Sequence, residues 1–304
     1  MEYLQAIFSG LAIGSIYALV AFGFSITYTT TRTFNFGQGE FLALGSLCGF
    51  SVMLMLAKGV MFGVLNPADV TGGAYLLALL FSLLLMGVLG AALYFAGVRH
   101  FLHEQGLSWV MSTLGFGIIV QNVALALWGP APVAVPSPLG DGVVRLFGAG
   151  VRPQEILVFG VTLALMAAID QALRRTRLGS AVRAVAFSRS VASLMGINVE
   201  AVAVGEFVLS AAMAGVAGVL LAPITTASAF IGLALALKAF SAAILGGLDS
   251  PRGCIAGGFL LGLLESLIGL WRAELRDIVV FALIIAVLYV RPAGLLGTAL
   301  REKI

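Results

Sequence analysis

The sequence has little charge for its length. Only 10% of its 304 residues are charged and 61% are hydrophobic, with a mean hydropathy of +1.09. Soluble domains carry roughly 25% charged and about 45–50% apolar residues, so the composition excludes an ordinary soluble protein. It indicates a polytopic helical membrane protein. The net charge of +3 is small, and we expect lipid contacts but no nucleic-acid partner.

The chain is also poor in cysteine and histidine. Cys48 and Cys254 lie inside apolar runs, where a thiol behaves as a small hydrophobe, so we expect no disulfide. His100 and His103 stand three residues apart, but two ligands without a third make a weak metal site. Since no catalytic set of residues stands out either, we expect a protein that is neither an enzyme nor metal-binding.

Long apolar runs dominate the remainder, and nine of them approach the length of about 20 residues that a membrane-crossing helix needs. The first run has no basic region before it, so we expect a retained membrane span and not a signal peptide. The seventh and eighth runs are separated by five residues and the ninth is short, so eight crossings with one re-entrant segment remain an alternative. We therefore predict an all-α protein with 8–9 transmembrane helices. The runs are 3–28, 34–57, 74–98, 107–129, 155–173, 201–222, 229–247, 253–271 and 275–290.

The distribution of lysine and arginine predicts the orientation, because short loops rich in these residues stay in the cytoplasm. With the N-terminus outside and the C-terminus cytoplasmic, 11 of the 17 basic residues fall in inner segments, five fall outside and Lys238 lies in a span. The outer connection 130–153 contains five prolines and is too broken for a helix, so we expect a periplasmic loop that caps the outer face. Recurrent glycine pairs four residues apart, such as Gly10 and Gly14, favour close helix packing in lipid.

The longest inner connection, 174–200, reads "RRTRLGSAVRAVAFSRSVASLMGINVE". Apolar and small residues alternate there with arginines, and Gly196 follows as a helix C-terminal residue, which predicts two short amphipathic helices outside the membrane. Composition alone does not separate a helix lying on lipid headgroups from a docking surface for another protein.

This segment resembles the cytoplasmic loop of permease subunits of bacterial ABC importers of the branched-chain amino acid family. Four further blocks resemble the same family in the same order along almost the whole chain. They are "GSIYALVAFGFSITY" (14–28), "NFGQGEF" (35–41), "LKAFSAAILGGLDSPRGCIAGG" (237–258) and "RPAGLLG" (291–297).

The resemblance implies a single permease domain over 1–304 in a bacterial inner membrane. It implies four kinds of interaction: a second homologous permease, two cytoplasmic ATPase subunits, a periplasmic substrate-binding protein and lipid. The sequence contains no Gly-x-x-x-x-Gly-Lys-Ser/Thr phosphate loop, so we expect no cofactor here and ATP on the partner. By resemblance the ATPase-coupling loop has its contact positions at Arg183, Ala186 and Gly196.

Ionisable residues inside spans cost about 2.5–3.5 kcal/mol at a helix centre and therefore need a partner or a role. Lys238 and Glu265 fall at similar depth on neighbouring antiparallel spans, which favours an ion pair, with substrate contact as the second interpretation. These two charges also support a competing function, a proton- or ion-coupled secondary transporter. Gln121 and Asn122 could line the translocation path or bond to neighbouring helices.

The block "NFGQGEF" places polar residues at the start of the second run. Asn35 and Gln38 have the spacing of a helix N-cap and N3 residue, close to a capping box, and an acid such as Glu40 is favoured near a helix N-terminus. We interpret the motif as a helix start at the inner boundary. Asp170 and Glu206 fall near the inner arginines, where we expect pairing at the level of solvent or headgroups.

Overall fold

The computed structural model describes residues 2–101, 108–140, 142–146, 149–291 and 293–297. Its helices, labelled in chain order, are α1 (Glu2–Thr31), α2 (Gln38–Lys58), α3 (Gly72–Leu93), α4 (Ser108–Trp128), α5 (Pro153–Arg175), α6 (Arg177–Phe187), α7 (Arg189–Leu194), α8 (Val199–Leu221), α9 (Ile231–Gly246), α10 (Pro251–Trp271) and α11 (Arg276–Val290). A short antiparallel hairpin joins β1 (Val144–Leu146) to β2 (Ala149–Val151).

Each of the nine predicted apolar runs contains one of these helices. Within the described residues, seven helical segments are long and apolar enough to cross a membrane: α1, α2, α3 with its continuation to Phe101, α4, α5, α8 and α10. At 16 residues α9 and at 15 residues α11 fall short of the usual crossing length. The mainly helical, membrane-spanning architecture is therefore confirmed, whereas the number of crossings stays a prediction.

The centre of the bundle is built from α1, α2 and α8, which are the most buried of the long helices. Small residues allow this packing. A Cβ atom on Gly45 of α2 would lie 2.6 Å from the Cα of Gly215 on α8, so the two backbones touch at a point where no side chain fits. Without water to drive association in lipid, such close backbone contact is what holds helices together.

A second glycine seam joins α1 to α10, as the paired glycines of the sequence predict. Gly10 and Gly14 face Gly262 and Gly258; a Cβ on Gly14 would stand 3.1 Å from the carbonyl oxygen of Gly258. The seam fixes α10 against the central helices, and with it the charged residue Glu265 one turn beyond.

The connection 130–153 contains a feature that the sequence did not predict. Val144 to Leu146 pair with Ala149 to Val151 in the hairpin, and Val133 forms a backbone bridge to Ala227 in the connection before α9. The segment is thus not a helix, as expected, but it is more ordered than its five prolines suggested. The bridge bonds it to the connection between α8 and α9.

Ion pairs connect the predicted inner segments at one end of the bundle. Arg32 after α1 binds Asp249 before α10 with 2.8 Å between Nη1 and Oδ1, and Arg252 binds Asp170 at the end of α5 at 3.1 Å. At this same end, the "RPAGLLG" block folds back on α9, because the amide of Leu295 donates to the carbonyl of Leu245 at 2.8 Å. Sequence blocks far apart in the chain therefore meet at one surface.

Candidate coupling and transport site

The segment between α5 and α8 forms two short helices, as the sequence predicts. Each begins at a hydroxyl residue whose side chain accepts a backbone hydrogen bond: Thr176 from the amide of Gly179 for α6, and Ser188 from the amide of Val191 for α7. Such caps satisfy amides that a short helix would otherwise leave unpaired. Gly179 also has no room for a side chain against the backbone of Leu173, so the corner between α5 and α6 needs glycine there.

We name residues 177–196 the coupling segment. Four of its large apolar side chains are strongly exposed: Leu178 is 78% exposed, Phe187 89%, Leu194 85% and Met195 78%. These residues lie at the end of the bundle that carries the clustered arginines, outside the long apolar helices. An exposed apolar patch of this kind is typical of a surface that another protein or a membrane covers.

The three coupling positions have different surroundings. Gly196 has a φ of +81° and its amide donates to Ser193, so it ends α7 as predicted. Arg183 donates to the backbone oxygen of Leu173 and to Oγ of Ser180, which ties it to its own segment. Ala186 is half-buried and lines two clefts between α6 and the bundle. A role of these residues in ATPase contact stays a prediction.

One arginine that the sequence reasoning did not select attaches the coupling segment to the bundle. Nε of Arg189, the first residue of α7, donates to the carbonyl oxygen of Thr30 at the end of α1 at 2.7 Å. Burial lowers the pKa of the Arg189 guanidinium from its ordinary value, but an arginine stays charged in proteins. Close to this attachment, Arg99 after α3 forms an ion pair of 2.9 Å with Glu200 at the start of α8.

The helix-start motif "NFGQGEF" is organised differently from the predicted capping box. The residue before α2 is Gly37, and no side chain caps this helix. Instead Nδ2 of Asn35 donates to Oε1 of Gln38 at 3.2 Å, and Gln38 bonds to the backbone oxygen and the hydroxyl of Ser210 on α8, each at 2.9 Å. The predicted capping box is wrong because both amides are fully buried, Asn35 donates to Gln38, and Gln38 bonds inward to α8.

Glu40 lies in the first turn of α2, where the helix dipole favours an acid. It is 8% exposed, and its Oε2 has no hydrogen-bond partner among the described residues. Its side chain faces Gly117 of α4, where an added Cβ would lie 3.3 Å from Cγ of Glu40. The side chain is therefore packed between α2 and α4.

Lys238 and Glu265 form the ion pair that their positions predicted, with 2.7 Å between Nζ and Oε1. Two further residues complete the cluster. Oδ1 of Asp277 on α11 lies 2.9 Å from the same ammonium, and the hydroxyl of Tyr17 on α1 donates to Oε2 of Glu265 at 2.8 Å. Sequence reasoning missed both, although Asp277 is an acid at the start of an apolar helix. The cluster joins α1, α9, α10 and α11.

The two amides of α4 do not join this cluster. Gln121 donates to the carbonyl of Ala229 over 3.4 Å, and the exposed Asn122 donates to Ile118 in its own helix at 2.8 Å. No hydrogen bond connects them to Lys238 or Glu265 within the described part of the chain. A role in the translocation path stays a prediction for all four residues.

Of the two acids near the inner arginines, Asp170 pairs with Arg174 and Arg252, as expected. Glu206 does not: it is 3% exposed, and neither carboxylate oxygen has a hydrogen-bond partner among the described residues. The expectation of a solvated Glu206 is wrong because α8 is a central helix that packs against α1, α2 and α3. His103 lies outside the described residues, and the described ones hold no cluster of three metal-ligating side chains.

Comparison with known proteins identifies the protein family. Residues 6–288 match the family described as "Branched-chain amino acid transport system / permease component". The chain belongs to this permease family. It is 35% identical to the high-affinity branched-chain amino acid transport system permease protein LivH of Escherichia coli K12, over 100% of this chain and 98% of that protein. The corresponding protein BraD of Pseudomonas aeruginosa is 33% identical with the same coverage.

A more distant relative is the probable branched-chain amino acid transport permease protein LivH of Methanocaldococcus jannaschii. It is 26% identical over 93% of this chain and 89% of that protein. The matches to the E. coli and P. aeruginosa proteins cover 100% of this chain and therefore include the coupling segment and the four other blocks. The family is one of transport subunits and not of enzymes.

Proposed function

We propose that this chain is the membrane subunit of an ATP-driven ABC importer and forms the translocation path for branched-chain or related amino acids. The observation that carries the proposal is the full-length identity of 35% with LivH of E. coli. ATP is bound and hydrolysed by two cytoplasmic ATPase subunits, since the sequence has no phosphate-binding loop of its own.

The coupling segment supports a separation of transport and ATP hydrolysis between two kinds of subunit. Its exposed apolar residues, with Phe187 at the junction of α6 and α7, provide a surface for the ATPase, and Arg189 connects that surface to α1. When ATP binding draws the two ATPase subunits together, the segment transmits the movement, and the helices open the path toward the other side. Arg183, Ala186 and Gly196 are the proposed contact positions within it.

The proposed topology has the N-terminus outside and the C-terminus in the cytoplasm of a bacterial inner membrane, with eight or nine crossings. The clustering of inner arginines at one end of the bundle agrees with this orientation. The loop 130–153 then faces the periplasm, where a substrate-binding protein delivers the amino acid. A second homologous permease subunit completes the path.

The substrates proposed are leucine, isoleucine and valine, with urea, short amides and aromatic amino acids as the competitors to be tested. The chain is purified with the products of its neighbouring genes and reconstituted in vesicles with the binding protein. Uptake of labelled leucine is then measured against an excess of each competitor. Competition by isoleucine and valine alone supports the assignment, whereas competition only by urea or an aromatic acid contradicts it.

The competing function is a proton- or ion-coupled secondary transporter that uses Lys238 and Glu265. The buried pair is the observation that favours it, since ionisable residues at such depth often mark coupling sites. However, the ammonium is held between Glu265 and Asp277, and Glu265 also accepts from Tyr17, a set of contacts that suits helix packing. Uptake driven by a proton or sodium gradient without ATP would favour this alternative.

A further inference from the structure

Several buried polar atoms without partners lie together where α7 meets α1 and α8. Eight buried side-chain atoms lack a hydrogen-bond partner among the described residues, and half of them belong to Thr30, Arg189 and Glu206. They are Oγ1 of Thr30, Nη2 of Arg189 and both carboxylate oxygens of Glu206. Because an unpaired buried polar group costs about 1–3 kcal/mol, and more when it is charged, a cluster of this kind calls for a physical explanation.

The three residues lie within about one helical turn of one another along the bundle. Ser210 of α8 donates to the carbonyl of Gly23 on α1 at 3.1 Å, and Thr30 lines a cleft with Ala203, so the two helices run in opposite directions. Glu206 is one turn closer to the coupling segment than Ser210, and Thr30 lies two turns beyond Gly23 in the same direction. Arg189 and Thr30 line one cleft together with Ala203 of α8, and Glu206 follows Ala203 by about one turn of that helix.

Arg189 and Glu206 nevertheless form no ion pair in this conformation. Nε of Arg189 is bound to the carbonyl of Thr30 at 2.7 Å, while its Nη2 and the carboxylate of Glu206 remain unsatisfied. An ion pair between the two groups would satisfy the atoms that now lack partners. A displacement of α7 toward α8 would bring these atoms together and would break the bond to α1.

We propose that Arg189 exchanges partners during transport: it holds the carbonyl of Thr30 in the present conformation and pairs with Glu206 in a second one. Arg189 is then a positioning residue that makes the location of the coupling segment depend on the state of the bundle. Glu206 is one turn from Ser210, which binds Gln38 at the start of α2. A change of partner at Glu206 would therefore affect the contact between the central helices α8 and α2. This inference rests on the proposed function.

The first test compares three variants of the assembled transporter in vesicles: Arg189→Gln, Glu206→Gln and the double variant. Uptake and ATP hydrolysis are measured in the same preparation. Because each single change removes the same pair, we expect uptake to fall at least about tenfold in both, while ATP hydrolysis is retained. The double variant should lose no more than the worse single variant. Matched controls are Arg272→Gln and Glu274→Gln, which are exposed near the start of α11 and should transport normally.

Losses that multiply in the double variant, or single variants that keep the wild-type ratio of uptake to hydrolysis, would overturn the partner exchange. A wild-type transporter that takes up amino acids without any response to ATP would instead overturn the proposed function. The two failures are therefore distinguishable in one experiment.

A second measurement covers the case in which the variants fail to assemble. Spin labels are placed at Ser193→Cys on α7 and Tyr289→Cys on α11, both exposed positions, in a chain that keeps Arg189 and Glu206. The native Cys48 and Cys254 are buried and protected from labelling. We expect the distance between the labels to change between the nucleotide-free and ATP-bound transporter. An unchanged distance would contradict the exchange.

Discussion

Lys238 on α9 and Glu265 on α10 are joined by an ion pair of 2.7 Å, and the same ammonium lies 2.9 Å from Asp277 on α11. One positive charge therefore holds two negative ones from two other helices. The arrangement is asymmetric, because Glu265 is almost fully buried and Asp277 is largely exposed. Removal of the lysine and removal of the glutamate should consequently lower the stability of the protein by different amounts.

Lys238→Met should destabilise the protein more than Glu265→Gln. The first change leaves two carboxylates facing each other without a counter-charge, a loss of the order of 3–5 kcal/mol for a broken buried pair. The second leaves Lys238 paired with Asp277. The stability order of the two variants is measured by thermal unfolding in detergent and by subunit abundance in the membrane.

Asp277→Asn is the matched control and should be close to neutral, because this carboxylate is exposed and Glu265 keeps the lysine paired. If the two buried-site variants fold normally, lose uptake independently and change substrate preference, the pair is a substrate or ion site and not a structural one.

Ala186→Glu should abolish ATP-driven uptake and leave the subunit inserted in the membrane. Ala186 is half-buried beside two clefts between α6 and the bundle, so a long charged side chain would displace α6. Uptake, membrane abundance and co-purification of the ATPase are measured together.

Ala201→Glu serves as the control for Ala186, since Ala201 is exposed in the first turn of α8, where an acid is favoured. Normal uptake by Ala186→Glu would count against a role of α6 in coupling, as would equal losses in both variants.

Gly258→Val should weaken the seam between α1 and α10. A Cβ at this position would overlap the backbone of Ala18, and overpacking typically costs about 1–3 kcal/mol or more. The midpoint of thermal unfolding should fall, and abundance with it. Gly160→Val, where no atom lies within 4 Å of an added Cβ, should unfold like the wild type. A similar loss at both positions would show that helix propensity, and not the seam, determines the result.

Gln38→Leu should destabilise the start of α2, because it removes the acceptor of the Asn35 amide and both bonds between Gln38 and Ser210. The expected cost is about 1–3 kcal/mol. Gln5→Leu, at an exposed position of α1, is the control.

Glu40→Gln should leave substrate preference unchanged, since the side chain of Glu40 is packed against Gly117. A shift in preference for Glu40→Gln with intact folding would instead assign this acid to the translocation path.

The sequence predicted those features that depend on composition and regular spacing. The apolar runs, the close helix packing at paired glycines, the two helices of the coupling segment and the Lys238–Glu265 pair all follow from periodicity, helix-end signals or the cost of buried charge. Each of these rules acts within one element or between neighbours along the chain, so a single sequence is sufficient to read them.

Long-range contacts were not predictable in the same way. Gln38 has the spacing of a helix cap, but its amide bonds to Ser210, 172 residues away. Glu206 is close to arginines in the sequence, yet it lies on a central helix and is buried. Asp277 contacts Lys238 and Tyr17 contacts Glu265 only because four helices converge there. Tertiary packing decided these cases, and nothing local in the sequence reports it.

The most direct test of the proposed function separates the two energy sources in one preparation. Vesicles that contain the complete transporter, with ATP available to the ATPase subunits, are treated with ionophores that collapse proton and sodium gradients, and initial leucine uptake is measured. Uptake that persists with the ionophores and stops when ATP is withheld is the predicted result. Uptake that collapses with the gradients and ignores ATP would contradict the account.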